Sequence, residues 1–239
     1  TTGLFANYLS KFGVKTHFAP LTDLSAWRAV SNEKTRLLYL ETPSNPLCRV
    51  ADVAAFAALA SDTGAKLMVD NCFCTPALQT PLSFGADLVI HSATKYIDGQ
   101  GRCLGGAVVG GAEDMAAVRA FLRTCGPTMS AFNAWVFLKG LETLSLRMHK
   151  HSENALAIAQ WLTEQPEVVQ VNYTGLESHP DHVLAKRQQS AFGGVLSFAV
   201  RGGREEARAS ITGLEFFRLT HNLGVAKKLT SHPATTTHG

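Results

Sequence analysis

The sequence predicts an α/β fold in which a mostly parallel sheet is flanked by helices. Three short apolar runs, at residues 37–40, 66–70 and 87–91, are typical of strands buried on both faces. A fourth apolar run follows at residues 106–109. Segments with helical patterns alternate with these runs. Because strands that alternate with helices form parallel βαβ units, the pattern indicates a sheet that is covered on both sides.

The N-terminal part of the chain leads into this unit. We expect a helix over residues 3–12, a short strand at residues 14–18 and a helix over residues 23–30. Asp52 is expected to cap the next helix, because an aspartate side chain accepts hydrogen bonds from free N–H groups of the first turn. Gly64 then ends that helix, since glycine readily adopts the left-handed conformation.

The pattern changes near residue 150, where shorter strands mix with helices. We therefore predict a large domain over residues 1–150 and a smaller C-terminal α+β domain over residues 151–239. Further helices are expected over residues 113–122, 131–148, 155–162, 181–189 and 203–212, and strands at residues 168–171 and 195–200.

Composition excludes several classes of function. The chain is 46% hydrophobic and 17% charged, with a net charge of +3, which is typical of a globular protein that has a real core. There is no basic run that would bind nucleic acid and no apolar segment long enough to span a membrane. The histidines lack the neighbours of a metal site. Five irregularly spaced cysteines indicate free thiols in a reducing compartment, so we expect a cytoplasmic protein.

Polar side chains collect where the predicted strands end. Asn45 lies in the loop after the first strand, Asp70 ends the second, and Ser92, Thr94 and Lys95 follow the third. The carboxyl ends of parallel strands are neighbours, so we expect all five side chains to face one pocket. A sheltered lysine can form an imine, and a carboxylate at the end of an apolar strand needs a cationic partner. Hydroxyl groups with nearby backbone N–H groups can hold a phosphate.

Pyridoxal 5′-phosphate requires these three elements together. Taken singly, each residue has an ordinary interpretation: Lys95 as a surface lysine, Asp70 as a cap or ion-pair partner, and Asn45 as a turn residue. Their joint placement favours the cofactor site. Two other classes stay open at this point, a cofactor-free Schiff-base aldolase and a non-catalytic binding protein on an enzyme scaffold. An aldolase lysine usually lies in a closed barrel, for which this chain has too few βα units.

Several motifs together resemble the pyridoxal-phosphate-dependent enzymes of cysteine and methionine metabolism, a family with fold type I. The motifs are ETPSNP at residues 41–46, VDN at 69–71, SATKY at 92–96, GLETL at 140–144 and SHPATTTH at 231–238. The resemblance covers essentially the whole chain.

The resemblance implies a role for each candidate residue. Lys95 would bind the cofactor covalently through its amine, and Asp70 would keep the pyridine nitrogen protonated. Asn45 would lie near the ring hydroxyl, and Ser92 and Thr94 would bind the phosphate.

The resemblance also implies a reaction and an assembly. The reaction would be γ-replacement on an O-acylhomoserine, with a succinyl ester as donor and sulfide as acceptor, to give homocysteine for methionine biosynthesis. Lys95 would move protons at Cα and Cβ, and Ser231 would lie near the substrate carboxylate. An acetyl donor, cysteine as acceptor (giving cystathionine) and γ-elimination are the alternatives within the family. The protein would be a homotetramer, a dimer of dimers with shared active sites.

Parts of the family's pocket would lie outside these 239 residues. The aromatic residue that stacks on the ring, the glycine-rich phosphate loop, and a tyrosine and an arginine from a neighbouring subunit would precede Thr1. The arginine that holds the substrate carboxylate would follow Gly239. We therefore expect a truncated chain, with weak or absent activity by itself.

Overall fold

The computed structural model describes residues 1–220 and 222–233, and its central feature is a four-stranded sheet. The strands lie in the order β1, β2, β3, β4. Their bounds are Leu37–Glu41, Lys66–Asp70, Leu88–Ser92 and Gly106–Gly110. β1, β2 and β3 are parallel, which confirms the α/β class with a mostly parallel sheet.

β4 is the exception, because it pairs with β3 in the antiparallel direction. Only a π-helical turn, Ala93–Ile97, and a glycine-rich loop connect the two strands. A parallel return needs a crossover connection long enough to pass over the sheet, and no crossover helix lies between these strands. The chain therefore turns back along the same edge.

The main core lies between this sheet and α2, Val53–Thr63. Asp52 caps α2 by accepting a hydrogen bond from the backbone N–H of Ala55, and Gly64 follows with φ of 68°. Both predicted helix boundaries are confirmed. The core is formed by buried aliphatic and aromatic side chains, among them Leu38, Leu40, Val53, Phe56, Leu59, Leu67 and Val69.

Of the three elements predicted for the N-terminal segment, two are helical as expected and one, the strand, is absent. α1, Leu24–Val30, begins at the predicted place and is capped by Asp23. Residues 14–18 form no strand, so that prediction was wrong. The apolar residues Val14 and Phe18 are exposed there, because no neighbouring strand pairs with this stretch. Residues 3–12 form a π-helical turn, Leu4–Tyr8, and a 3-10 turn, Leu9–Phe12.

The helix predicted over residues 131–148 is in fact two helices. α5 spans Ala131–Leu141 and α6 spans Leu144–Thr163, so the segment predicted over residues 155–162 belongs to α6. Gly140 lies so close to the carbonyl oxygen of Ile97 that a side chain there would collide with it. α6 runs continuously through residue 150. The domain boundary near that residue stays a prediction.

The remaining elements surround this centre. β5 and β6 form an antiparallel pair, and β7 and β8 form a short parallel pair. The strand bounds are Val168–Asn172, Ser197–Val200, Arg218–Leu219 and Leu229–Thr230. The further helices are α3, Thr75–Leu78; α4, Ala112–Cys125; α7, His182–Gln188; and α8, Arg204–Thr212. Within the described ranges, no helix combines the length and apolar character that crossing a bilayer requires.

Candidate active site

Lys95 lies in the turn that follows β3. Ser92 ends the strand, and the π-helical turn Ala93–Ile97 begins directly after it. The backbone of Lys95 leaves helical geometry, with φ of −88° and ψ of −120°. Its Nζ donates a hydrogen bond to Oδ1 of Asn222, at a distance of 2.8 Å. The predicted lysine therefore has a specific polar partner from a distant part of the chain.

Gly224 allows the segment that carries Asn222 to approach Lys95 so closely. Gly224 has φ of +80°. A Cβ atom at this position would lie 2.6 Å from the backbone nitrogen of Tyr96 and 2.7 Å from the carbonyl carbon of Lys95. Real Cβ contacts are longer than this, so only glycine fits. Backbone packing thus holds the Asn222 segment against the lysine turn.

Asp70 ends β2 and is held by two donors. Its Oδ2 accepts a hydrogen bond from the Tyr39 hydroxyl at 3.0 Å, and its Oδ1 accepts one from the backbone N–H of Cys72 at 3.1 Å. Burial raises the pKa of Asp70, while these two hydrogen bonds oppose the rise. Glu41 pairs with Asp70 across the strands, and burial together with the Asp70 charge raises the pKa of Glu41.

The Asp70 loop and the lysine turn are neighbours because β2 and β3 pair in the parallel direction. Asp70 lies opposite Ile90, and the backbone N–H of Asn71 donates to the Ile90 carbonyl oxygen at 3.0 Å. Burial and the charge of Asp70 raise the pKa of the Cys72 thiol in this loop to about 12. The end of β2 therefore lies beside the end of β3, as the sequence predicts for neighbouring parallel strands.

The hydroxyl of Thr94 is bound to the glycine-rich loop. Its Oγ1 accepts a hydrogen bond from the backbone N–H of Gly105 at 3.2 Å and lies 3.4 Å from the Gly105 carbonyl oxygen. Ser92 is half-buried and pairs with Gly106 in the sheet. Both hydroxyl groups thus lie where β3 meets the loop.

Asn45 and Ser231 are less closely connected to Lys95. Asn45 is exposed, and its backbone N–H donates to Oε1 of Glu41 at 2.9 Å, which connects its loop to the neighbour of Asp70. Two cis peptide bonds flank this loop, Thr42–Pro43 and Asn45–Pro46. Ser231 is exposed directly after β8. The rest of its motif, residues 234–238, lies outside the described residues, so the role of Ser231 stays a prediction.

A buried network of amide side chains holds the strand ends in place. Gln79 donates to the carbonyl oxygen of Thr42 at 3.2 Å and to Oδ1 of Asn71 at 3.1 Å, and it accepts from Gln189 at 3.0 Å. Asn71 in turn donates to two backbone carbonyl groups. The loops after β1 and β2 are therefore cross-linked beneath the site.

Sequence reasoning missed Asn222, Tyr39 and Gln79. Asn222 precedes Leu-Gly, and a glycine after a polar residue is a weak signal of a close backbone approach. In the sequence, Tyr39 is only one residue of an apolar strand. Because side chains alternate between the two faces of a strand, Tyr39 lies on the same face of the sheet as Asp70. No local pattern marks Gln79, because its partners come from three distant segments.

The site fits pyridoxal phosphate in its donor set. Lys95 provides an amine, Ser92 and Thr94 provide hydroxyl groups, and Asp70 provides a carboxylate with lone pairs beyond those used by its two donors. The burial that raises the pKa of Asp70 is what a cationic N–H partner would offset.

Comparison with known proteins defines the class. The family model of the Cys/Met metabolism PLP-dependent enzymes matches residues 1–239. The chain belongs to this family, whose members depend on pyridoxal phosphate and have fold type I. The sequence resemblance and the predicted cofactor are thereby confirmed.

Two relatives and one crystal structure show how similar the chain is to individual members of the family. The chain is 56% identical over 239 residues to an O-succinylhomoserine sulfhydrylase of Pseudomonas aeruginosa, covering 100% of this chain and 59% of the relative. It is 45% identical over 219 residues to a cystathionine gamma-synthase of Mycobacterium bovis, covering 91% of this chain and 56% of that protein. The crystal structure of cystathionine gamma-lyase from Lactobacillus plantarum complexed with L-serine superposes with a TM-score of 0.95 at 33% identity. That match covers 100% of this chain and 62% of the crystallised one.

Two points follow from these matches. The sequence of residues 91–102 and 132–144 predicts a likeness to O-succinylhomoserine sulfhydrylases, and the 56% identity to the first relative confirms that likeness. The chain spans a little under two thirds of the length of the relatives it matches.

Proposed function

We propose that the protein catalyses a pyridoxal-phosphate-dependent γ-replacement on an O-acylhomoserine. The donor is O-succinyl-L-homoserine and the acceptor is sulfide, which forms the new Cγ–S bond as the Cγ–O bond breaks. The products are L-homocysteine and succinate, made in the cytoplasm for methionine biosynthesis. One observation carries the proposal: Lys95 lies in the turn after β3, which pairs in parallel with the strand that ends in Asp70, in a chain that is 56% identical to an O-succinylhomoserine sulfhydrylase.

Each residue of the site has a role in this proposal. When bound, pyridoxal phosphate withdraws electrons from the amino-acid substrate and so acidifies its Cα and Cβ protons. Asp70 would accept a hydrogen bond from the ring nitrogen, Asn45 would lie near the ring hydroxyl, and Ser92 and Thr94 would hold the phosphate. Lys95 would bind the cofactor through its amine and carry the Cα and Cβ protons.

Asn222 and Ser231 complete the proposed machinery. The amide oxygen of Asn222 accepts from the Lys95 amine and so directs the nitrogen that carries the protons. Ser231 is proposed to contact the substrate carboxylate.

Two alternatives within the family have support of their own. One is transfer to cysteine, which follows from the likeness to a cystathionine gamma-synthase. The other is γ-elimination, which follows from the likeness to the crystal structure of a cystathionine gamma-lyase. Steady-state rates with succinyl and acetyl esters, each combined with sulfide, cysteine or no acceptor, distinguish them. A higher kcat/KM with the succinyl ester and sulfide is expected.

The test of the cofactor site is reduction with borohydride. We expect a visible absorption band that borohydride abolishes, and a mass increase on the peptide that contains Lys95. Lys95→Ala removes the label, whereas Lys150→Ala, at an exposed lysine paired with Glu153 on α6, keeps it. A colourless protein that takes up no pyridoxal phosphate would contradict the proposal and favour a binding protein on an enzyme scaffold.

We also propose a homotetramer that is a dimer of dimers. The support is a group of exposed apolar side chains on α5, where Phe132, Trp135, Leu138 and Leu141 are exposed by 67%, 55%, 62% and 44%. Single side chains of this kind are normal at a surface, but four on successive turns of one helix are typical of an interface. Trp135→Glu is expected to lower the molar mass found by light scattering, and an unchanged mass would contradict this interface.

A further inference from the structure

Tyr39 and Asp70 lie on the same face of the sheet. In β1, Leu38 and Leu40 are buried, and Tyr39 and Glu41 face the other side. The register pairs Glu41 with Asp70, so these two side chains are direct neighbours on that face. Tyr39 lies two residues before Glu41 and therefore reaches Asp70 diagonally across the strands.

The hydroxyl of Tyr39 is the side-chain donor that reaches Asp70. It lies 3.0 Å from Oδ2, and the other donor, at Oδ1, is the backbone N–H of Cys72. With one donor on each oxygen, the plane of the carboxylate is fixed. The Tyr39 ring is itself packed against Phe5, with ring centroids 5.2 Å apart. The Tyr39 side chain is therefore also held by Phe5, which lies in the N-terminal turn Leu4–Tyr8.

We propose that Tyr39 is a positioning residue for the cofactor, because it orients the Asp70 carboxylate and favours its ionised form towards the pyridine nitrogen. This inference rests on the proposed function, which assigns Asp70 to that nitrogen. A phenol that donates a hydrogen bond stabilises the carboxylate over the carboxylic acid. An ionised carboxylate, in turn, stabilises the protonated ring.

The charges around Asp70 make such a donor necessary. Burial raises the pKa of Asp70, and the hydrogen bond from Tyr39 is the largest effect in the opposite direction. Among the described residues, the other titratable groups near Asp70 are the Glu41 carboxyl, the Cys72 thiol and the Lys95 amine. Burial and the Asp70 charge raise the pKa of Tyr39, so its hydroxyl keeps its proton at neutral pH.

The test is the affinity of the apoprotein for pyridoxal phosphate, measured by fluorescence titration between pH 5.5 and 8. Tyr39→Phe removes the hydroxyl and keeps the ring. We expect the dissociation constant to rise about tenfold, as for loss of one hydrogen bond to a charged group, and to rise further towards low pH. The matched control is Tyr8→Phe, at an exposed tyrosine, which should bind as the wild type does.

A double-mutant cycle shows whether Tyr39 acts through Asp70. In an Asp70→Asn background, Tyr39→Phe should cause no further loss of affinity. An unchanged dissociation constant for Tyr39→Phe in the wild-type background, or an equal loss in both backgrounds, would overturn the inference and leave the proposed function intact. A wild-type protein that binds no pyridoxal phosphate would overturn the proposed function and this inference with it.

Discussion

The Lys95 amine donates a hydrogen bond to the Asn222 amide oxygen over 2.8 Å, although 127 positions separate the two residues along the chain. A neutral oxygen acceptor orients the amine without adding a charge. The nitrogen on which the proposed chemistry depends is therefore directed by the C-terminal part of the chain, while the backbone of Lys95 lies in the turn after β3.

Replacing Asn222 should lower activity. Asn222→Leu removes the oxygen that accepts a hydrogen bond from the Lys95 amine, so it should lower kcat about tenfold. Asn222→Asp keeps an oxygen acceptor at this position and should lower kcat less. Steady-state kcat values for both variants check this, and equal values for the two would contradict it.

Gly224→Ala should destabilise the segment that carries Asn222. The new Cβ meets the backbone of Lys95 and Tyr96, and φ at this position is +80°. We expect a loss of about 3 kcal/mol in the free energy of unfolding, together with weaker binding of pyridoxal phosphate. The control is Gly126→Ala, where φ is +81° and no atom lies within 4 Å of the added Cβ. It should cost only about 1 kcal/mol. Equal losses in urea titrations would show that backbone conformation alone matters at Gly224.

Gln79→Leu should disrupt the strand ends without touching the proposed chemistry. The change removes three hydrogen bonds and leaves polar groups of Asn71 and Gln189 unpaired in the interior. We expect unfolding free energy to fall by about 3 kcal/mol. Gln160→Leu, at an exposed position on α6, should change it by less than about 0.5 kcal/mol. The comparison uses urea denaturation at neutral pH. A Gln79→Leu variant with the same free energy of unfolding as the wild type would contradict the structural role of the network.

Asp98 should contribute to stability against acid. Its carboxylate is fully buried; burial alone raises its pKa, but hydrogen bonds from the backbone and side chain of Arg102 bring the pKa below the ordinary value of 3.8. A lowered pKa means that the stabilisation is complete above that ordinary value and is lost as the pH falls through the folded-state pKa. Stability should therefore decrease below about pH 4.

Asp98→Asn tests this expectation. The variant should lose about 2 kcal/mol at pH 7, and its stability should depend less on pH in the acid range. Asp62→Asn is the control, since that carboxylate is 56% exposed in its ion pair with Arg28 and should change stability by less than about 0.5 kcal/mol. If the free energy of unfolding falls as steeply with decreasing pH in Asp98→Asn as in the wild type, the acid sensitivity belongs to other carboxylates, such as Asp181.

The strands and capped helices of the centre were predictable because their signals are local. Asp52 and Gly64 mark both ends of α2, and the apolar run of β3 delivers Lys95 to the predicted place. The break between α5 and α6 was not predictable, because apolar residues at helical spacing continue to Leu141 and no proline separates it from Leu144. Asn222 was missed because its contact with Lys95 depends on tertiary packing, which no sequence period records.

The amide network under the site has a consequence for measurements on this protein. Asn71, Gln79 and Gln189 carry side chains that neither gain nor lose protons, and they are joined by hydrogen bonds between neutral groups. The platform beneath the strand ends therefore keeps the same charge between about pH 5 and 9. Within that interval, the amide network itself therefore contributes no change of charge to a pH-dependent change in absorption or affinity of the site.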